Sequence, residues 1–219
     1  MSAQPDALIF DMGGVLANDV WEPMFAVLAE RHGLESARVD EAGKLLWETF
    51  AYVGETPANQ WRDMEVRYWK LFLAIFRQQL PREGVSVESL IALTDDFIVP
   101  VEGMAPILEE LQSRGKTLVL CSNANEFWYV RQMKKLRLDR FFPHERAILS
   151  SRIGAPKDSP RYEMFLAAVA AAGVPAARCF FVDDRKENIV RAKQYGIDAT
   201  LFKSAADLSA DLKNRRIVL

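Results

Sequence analysis

Cysteine and histidine are scarce: the 219 residues contain two of each. Cys121 and Cys179 both lie inside apolar runs, where a free thiol packs as a small hydrophobe, so no disulfide framework is expected and a reduced, cytoplasmic setting fits. His32 and His144 have no metal-ligand spacing with each other or with the cysteines, which leaves neither with an assigned catalytic role. A strong charge of either sign is missing as well. With a formal net charge of −2 and a pI near 5.8, the chain has no basic field for nucleic acid, and an anionic ligand must be met by local cations. Long hydrophobic runs are also absent. Only Ala7–Phe10 separates the polar start from Asp11, too short for a signal peptide or a membrane span, so the chain reads as soluble, unprocessed and without a membrane partner. No repeat, low-complexity tract or long charge block appears.

What is present is apolar material: half of the residues are hydrophobic, enough to bury the core of one large domain or of a domain with an insertion. Ala7-Leu8-Ile9-Phe10 is a continuous apolar run closed by Asp and two glycines, the pattern of a strand buried on both faces and followed by a tight turn. Similar runs return at 117–120, 147–149, 179–182 and 199–202. Between them, Met104, Ile107, Leu108 and Leu111 recur at helical spacing, as do Tyr162, Phe165, Leu166 and Val169, and a third helix covers 188–195. Gly115, Gly173 and Gly196 follow these helices where left-handed caps are expected. Strand and helix alternate, which predicts an α/β fold with a mostly parallel sheet flanked by helices.

Residues 18–96 break the alternation. Trp21, Met24, Phe25 and Leu28 form one helical stripe, Leu45, Leu46 and Phe50 a second, and Trp61, Met64, Tyr68, Leu71 and Ile75 a third. Pro81-Arg82-Glu83-Gly84 punctuates this stretch, and 100–103 marks the return to the α/β core. The expected division is a core of 1–17 and 97–219 and an all-helical insertion of 18–96. In open parallel sheets ligands bind beyond the carboxyl ends of the strands, where Asp11, Ser122 and Asp183-Asp184 emerge.

Four segments carry the chemistry: Phe10-Asp11-Met12-Gly13-Gly14-Val15-Leu16, Cys121-Ser122-Asn123, Gly154-Ala155-Pro156-Lys157 and Phe181-Val182-Asp183-Asp184. In this order they resemble the motifs of the haloacid dehalogenase superfamily, in the subgroup with a helical cap inserted after the first motif. The resemblance covers nearly the whole chain and implies a Rossmann-like core. It also implies that Asp11 attacks phosphorus as a carboxylate nucleophile. Ser122, with backbone donors of Asn123 and Ala124, would hold phosphoryl oxygens, at a position that is also a helix N-cap candidate. Lys157 would neutralise charge between nucleophile and phosphate. Asp184 would bind magnesium directly with Asp11 and the Gly13 carbonyl, Asp183 would support it, and Asn188 would orient the acidic pair.

Two departures qualify the match. The usual second Asp, two positions after the nucleophile, is Gly13, so proton transfer to the leaving group lacks its usual donor, a contribution worth about 10²–10⁴ in rate. A good leaving group, a donor from the cap or water, and weak or absent turnover all remain open. Asp19, where the chain enters the insertion, is one substitute donor and equally a helix-start residue. Asp158 stands where a Pro usually follows the motif-three Lys. Dehalogenases and phosphonate-cleaving relatives also lack the second Asp. The acidic pair Asp183-Asp184 argues against the metal-free dehalogenases, and Lys44 and Lys70 carry no motif for imine formation. Helical-capped sugar-phosphate phosphatases are similar in having Gly at this position and a segment like Tyr52-Val53-Gly54-Glu55-Thr56-Pro57. The resulting expectation is a magnesium-dependent phosphatase of a small phosphorylated metabolite. The alternatives are a phosphate-binding regulatory protein and a 2-haloacid dehalogenase. Trp47, Phe50, Tyr52, Arg62 and Arg67 are candidate cap contacts to substrate, while Trp21, Trp61 and Trp69 are assigned to packing.

Overall fold

The structure, a computed structural model, describes residues 4–80 and 85–217. The break expected at Pro81–Gly84 lies outside the described residues. Five parallel strands form one sheet in the order β3-β2-β1-β4-β5: β1 Ala7–Phe10, β2 Thr117–Ser122, β3 Ala147–Leu149, β4 Cys179–Asp183 and β5 Asp198–Leu201. β1 is central, pairing Phe10 with Leu120 on one side and with Val182 on the other. Its unbroken apolar run follows from this place, since both faces are covered.

Side-chain alternation divides those faces. Leu8, Phe10, Leu118, Leu120, Phe180 and Val182 pack against α5 (Met104–Ser113) and α10 (Ala205–Asn214), and against one side of α6 (Glu126–Leu136). Ala7, Ile9, Val119, Cys121, Cys179 and Phe181 pack under α8 (Glu163–Ala172) and α9 (Lys186–Tyr195). This is a Rossmann-like three-layer sandwich. A one-turn helix, α7 (Ser150–Ile153), follows β3. Two expectations shift. Tyr162 precedes α8 at φ +60, and Leu166 faces solvent because Met164, Phe165, Ala168 and Ala172 form the buried face.

Among the described residues, four α-helices lie between β1 and α5: α1 Trp21–His32, α2 Ser36–Phe50, α3 Trp61–Ile75 and α4 Val87–Phe97. Only three stripes are expected from the sequence. The fourth helix is capped reciprocally by Ser86 and Ser89 and buries Val87, Leu90, Ile91 and Thr94. Two stripes are also rotated: Leu45, Leu71 and Ile75 are exposed, whereas Val39, Ala42 and Leu46 of α2 and Tyr68, Trp69 and Phe72 of α3 face inward. Gly43 permits this packing, because a Cβ there would lie 2.0 Å from the Phe25 ring. The two connections to the sheet run side by side, with Asn18 N donating to Val99 O at 3.0 Å and Val101 N to Leu16 O at 3.0 Å.

Candidate active site

Asp11 leaves the end of β1 with its N–H bonded to Val182 O at 3.0 Å, which fixes the residue between the two central strands. The next residues fold back tightly: Leu16 N and Ala17 N both donate to Met12 O at 2.9 Å, and Gly14 N donates to Ala17 O at 2.8 Å. Gly14 has φ +71, and a Cβ there would fall 2.3 Å from Asp184 Oδ2. Glycine therefore permits both the turn and the close approach of the Asp184 carboxylate. Gly13 differs, since a Cβ there meets nothing within 4 Å and its φ lies outside the left-handed region.

Lys157 is the central cation, with only 1% of its surface exposed. Its Nζ lies 2.7 Å from Asp11 Oδ2 and 2.5 Å from Asp183 Oδ2, and its backbone N–H donates to Asn123 Oδ1 at 3.0 Å. Asp183 is fully buried and receives two further donors: Asn188 Nδ2 at 2.9 and 3.0 Å from its two oxygens, and Arg185 N at 2.8 Å. Asp183 thus organises the site from below, while Asp184 is exposed above it. Motifs one, three and four meet as the sequence implies, with Ser122 buried at the end of β2. Ser122 does not cap α6, however. Asn125 does, its Oδ1 accepting from Trp128 N at 3.1 Å, because three residues separate the strand end from the helix.

Burial pushes the Asp11 carboxyl up to about 6, with the Asp183 charge adding to the effect and Lys157 opposing it. Burial likewise raises Asp184, again helped by Asp183. The Lys157 ammonium moves the other way from a typical buried lysine: two adjacent carboxylates outweigh desolvation and hold it protonated. Cys121 beneath the site is pushed up to about 12 by burial, an inert thiol.

One oxygen from each of Asp11, Asp183 and Asp184 lies within 4.8 Å of the others. An all-oxygen donor set, with Asp11 and Asp184 raised by burial and by the charge of Asp183, fits a hard divalent cation such as magnesium. Gly13 lies in the same turn, bridged to Ala17.

Of the five candidate cap contacts, Phe50 is buried among aromatic residues, Arg62 pairs with Glu65 at 3.0 Å and Arg67 is exposed. Trp47 is half-buried and packs against both the sheet core and the helical cluster. Tyr52 is 37% exposed, and its phenol is pushed up by partial burial and by the charges of Asp158 and Glu48, with Arg185 opposing. The preceding Ala51 O accepts from Ser150 Oγ at 3.0 Å. Asp19 Oδ1 accepts from Trp21 N at 2.9 Å, the helix-start arrangement, and Lys44 and Lys70 are exposed. Sequence reasoning missed the buried Glu126–Arg152 pair behind motif two, at 2.6 Å, and the Arg131–Glu65 pair joining α6 to α3. Charged residues on helices carry no burial signal of their own.

A family model described as haloacid dehalogenase-like hydrolase matches residues 5–196. The chain belongs to the haloacid dehalogenase-like (HAD) hydrolases. No match was found among curated proteins. Among solved structures, the HAD family enzyme BT-2542 from Bacteroides thetaiotaomicron is 20% identical at a TM-score of 0.71, covering 96% of this chain and 99% of that one. A second structure of that enzyme, in complex with magnesium and inorganic phosphate, is 21% identical at a TM-score of 0.66, covering 91% and 95%. The L-2-haloacid dehalogenase from Xanthobacter autotrophicus with chloropropionic acid covalently bound is 16% identical at a TM-score of 0.60, covering 99% and 85%. At these identities the likeness is one of fold. Among the described residues of this HAD hydrolase, no helix is long and apolar enough to cross a membrane.

Proposed function

We propose that this HAD hydrolase is a magnesium-dependent phosphatase acting on a small phosphomonoester such as a sugar phosphate. The observation that carries the reading is the buried Lys157, shared between Asp11 and Asp183, beside a three-carboxylate group built from Asp11, Asp183 and Asp184. Asp11 attacks phosphorus, forming a carboxylate oxygen–phosphorus bond as the ester oxygen–phosphorus bond breaks. Water then attacks the aspartyl-phosphate, releasing inorganic phosphate and restoring the carboxylate. Lys157 holds Asp11 ionised and balances charge at the phosphoryl group, while the Ser122 hydroxyl and the Asn123 N–H hold phosphoryl oxygens. Magnesium, when held by Asp11, Asp184 and the Gly13 carbonyl with Asp183 in support, supplies charge neutralisation between carboxylates and phosphate.

Gly13 offers no proton, so the leaving oxygen takes one from water or from the cap. Residues 18–96 serve as that cap over a core of 1–17 and 97–219, with Trp47 and Tyr52 the remaining candidates to meet the substrate. The working setting is cytoplasmic, without nucleic-acid or membrane partners. The magnesium and phosphate bound to BT-2542 support a phosphatase over a dehalogenase, as does the acidic group itself.

The test is phosphate release from an activated aryl phosphate, with and without magnesium, by wild type and Asp11→Asn. Metal-dependent release that disappears in a folded mutant supports the reading. Gly13 favours one alternative, a phosphate-binding protein without turnover, which predicts magnesium-dependent stabilisation by phosphate and no product. Halide release from a 2-haloacid in chelator would instead identify a dehalogenase.

A further inference from the structure

Helix α6 has two committed faces. Tyr129 and Met133 belong to the cluster on the sheet, whereas Phe127 and Trp128 are buried in the cluster of α1–α4. The Trp128 ring lies 4.3 Å from Trp21, 6.5 Å from Tyr68 and 6.4 Å from Trp69, and Phe127 lies 6.2 Å from Phe50. One turn further along α6, Arg131 reaches both α3 and α4. It pairs with the buried Glu65, meets Asp95 Oδ1 at 3.2 Å and Oδ2 at 2.5 Å, and donates to Ile91 O at 3.1 Å. Lys135 adds a bond to Asp95 O. A swing of the whole cap away from the sheet must expose two aromatic rings and strip Arg131 of all these acceptors together.

The turn between α2 and α3 is held differently. From Tyr52 to Thr56 no backbone–backbone hydrogen bond joins it to other described residues. Gly54 has φ +90, and Tyr52 and Val53 are 37% and 51% exposed. Its ends are held by few bonds: Ala51 N donates to Trp47 O at 2.8 Å, Ser150 Oγ to Ala51 O at 3.0 Å and Trp61 Nε1 to Thr56 O at 2.8 Å. The same Ser150 Oγ meets Ala124 O at 3.4 Å, next to Asn123, which sets the start of the turn beside motif two, and Tyr52 feels the charges of Asp158 and Arg185.

We propose that the cap stays docked on α6 while ligands enter and leave, that access runs through the 52–56 turn, and that Arg131 is the positioning residue enforcing this route. Sparse bonding marks a segment that opens locally, whereas the aromatic and ionic seam on α6 opens only with the cap as a whole.

Two cysteine pairs test the route, because the native Cys121 and Cys179 are buried. Bridging Asp95→Cys to Arg131→Cys with a short thiol cross-linker fixes the cap to α6. Bridging Tyr52→Cys to Asp158→Cys fixes the turn. The probe is the association rate of inorganic phosphate with magnesium present, each protein measured before and after cross-linking. Expected are a change within about threefold for the first bridge and a slowing beyond about tenfold for the second. The reverse pattern, or a block by the first bridge, overturns the proposal.

In an Arg131→Met background the turn bridge should no longer block entry, while Arg131→Lys should retain the block. A merely structural Arg131 would leave the block intact in both. Hydrogen exchange on the wild type is independent of ligand: amides of 52–56 should exchange at least about 100-fold faster than those of α3 and α4, and equal rates overturn the proposal. If the wild type binds no phosphate, the phosphatase reading falls and the exchange pattern alone decides the route.

Discussion

Replacing Gly13 with Asp restores the carboxylate that the family places two residues after the nucleophile, and the structure has room for it. A Cβ at Gly13 meets nothing within 4 Å, and the backbone there is not left-handed, so the substitution carries no steric or torsional penalty. Loss of glycine freedom in the unfolded chain favours the folded state by about 0.4–1 kcal/mol. Opposing this is a new negative charge beside Asp11, Asp183 and Asp184, whose oxygens already crowd within 4.8 Å. At a separation of about 6 Å and an effective dielectric of about 20, one such repulsion costs about 3 kcal/mol. Gly13→Asp should therefore melt lower than wild type in chelator and recover when magnesium is added.

In turnover the new carboxyl acts only where the leaving oxygen needs a proton. For an alkyl phosphate, kcat/KM should rise by about 10²–10⁴, whereas for a nitrophenyl phosphate it should change by no more than about threefold. Parallel assays of the two substrates give the ratio directly. A folded, magnesium-stabilised Gly13→Asp that leaves both substrates unchanged, or raises both equally, refutes the idea that this position lacks a proton donor.

Three further outcomes follow from the site's charges and contacts. Because burial raises Asp11 from 3.8 to about 6, its contribution to metal-free stability is fully present below 3.8 and is lost as pH rises through about 6. In chelator the melting difference between wild type and Asp11→Asn should move against wild type across that window, and magnesium-induced stabilisation should grow over it. A flat difference rejects the assignment. Lys157→Met leaves two buried carboxylates without their shared cation, so it should cost about 3–5 kcal/mol in urea unfolding, with partial rescue by magnesium. An unchanged midpoint would show that Lys157 does not compensate them. Gly14→Ala sets a Cβ against Asp184 and adds about 1–2 kcal/mol of left-handed strain, so magnesium should stabilise it far less than wild type in thermal melts. Undiminished stabilisation would remove Asp184 from the metal site.

Motifs one, two and four were legible in sequence because each sits where an apolar run stops, and a parallel sheet gathers such stops at one edge; motif three, separated from β3 by α7, was read only through the family resemblance. Asp11, Lys157 and Asp183 meet there as expected. The division of labour between Asp183 and Asp184 was stated only through the family resemblance. What the structure adds is a difference in contacts: Asn188, Arg185 and Lys157 bond Asp183, while Asp184 is exposed. The insertion was less readable for a different reason. Its helices carry apolar residues on more than one side, so Leu45, Leu71 and Ile75 fit a stripe by spacing yet face solvent. α4 follows a Pro-Arg-Glu-Gly break and gave no separate stripe, and the burial of Glu65, Glu126, Arg131 and Arg152 depends on partners distant in the chain.

The paired connections at Asn18–Val99 and Leu16–Val101 bring the two ends of the insertion together, so a short loop could join them with little closure entropy. By connectivity the helical module is detachable. By surface it is not, since Phe127 and Trp128 would be left bare on α6, at about 1.5–3 kcal/mol for a large apolar side chain such as Phe127. Any exchange of this module for another must therefore bring an aromatic socket shaped to α6, which makes that helix the template on which alternative caps would be selected.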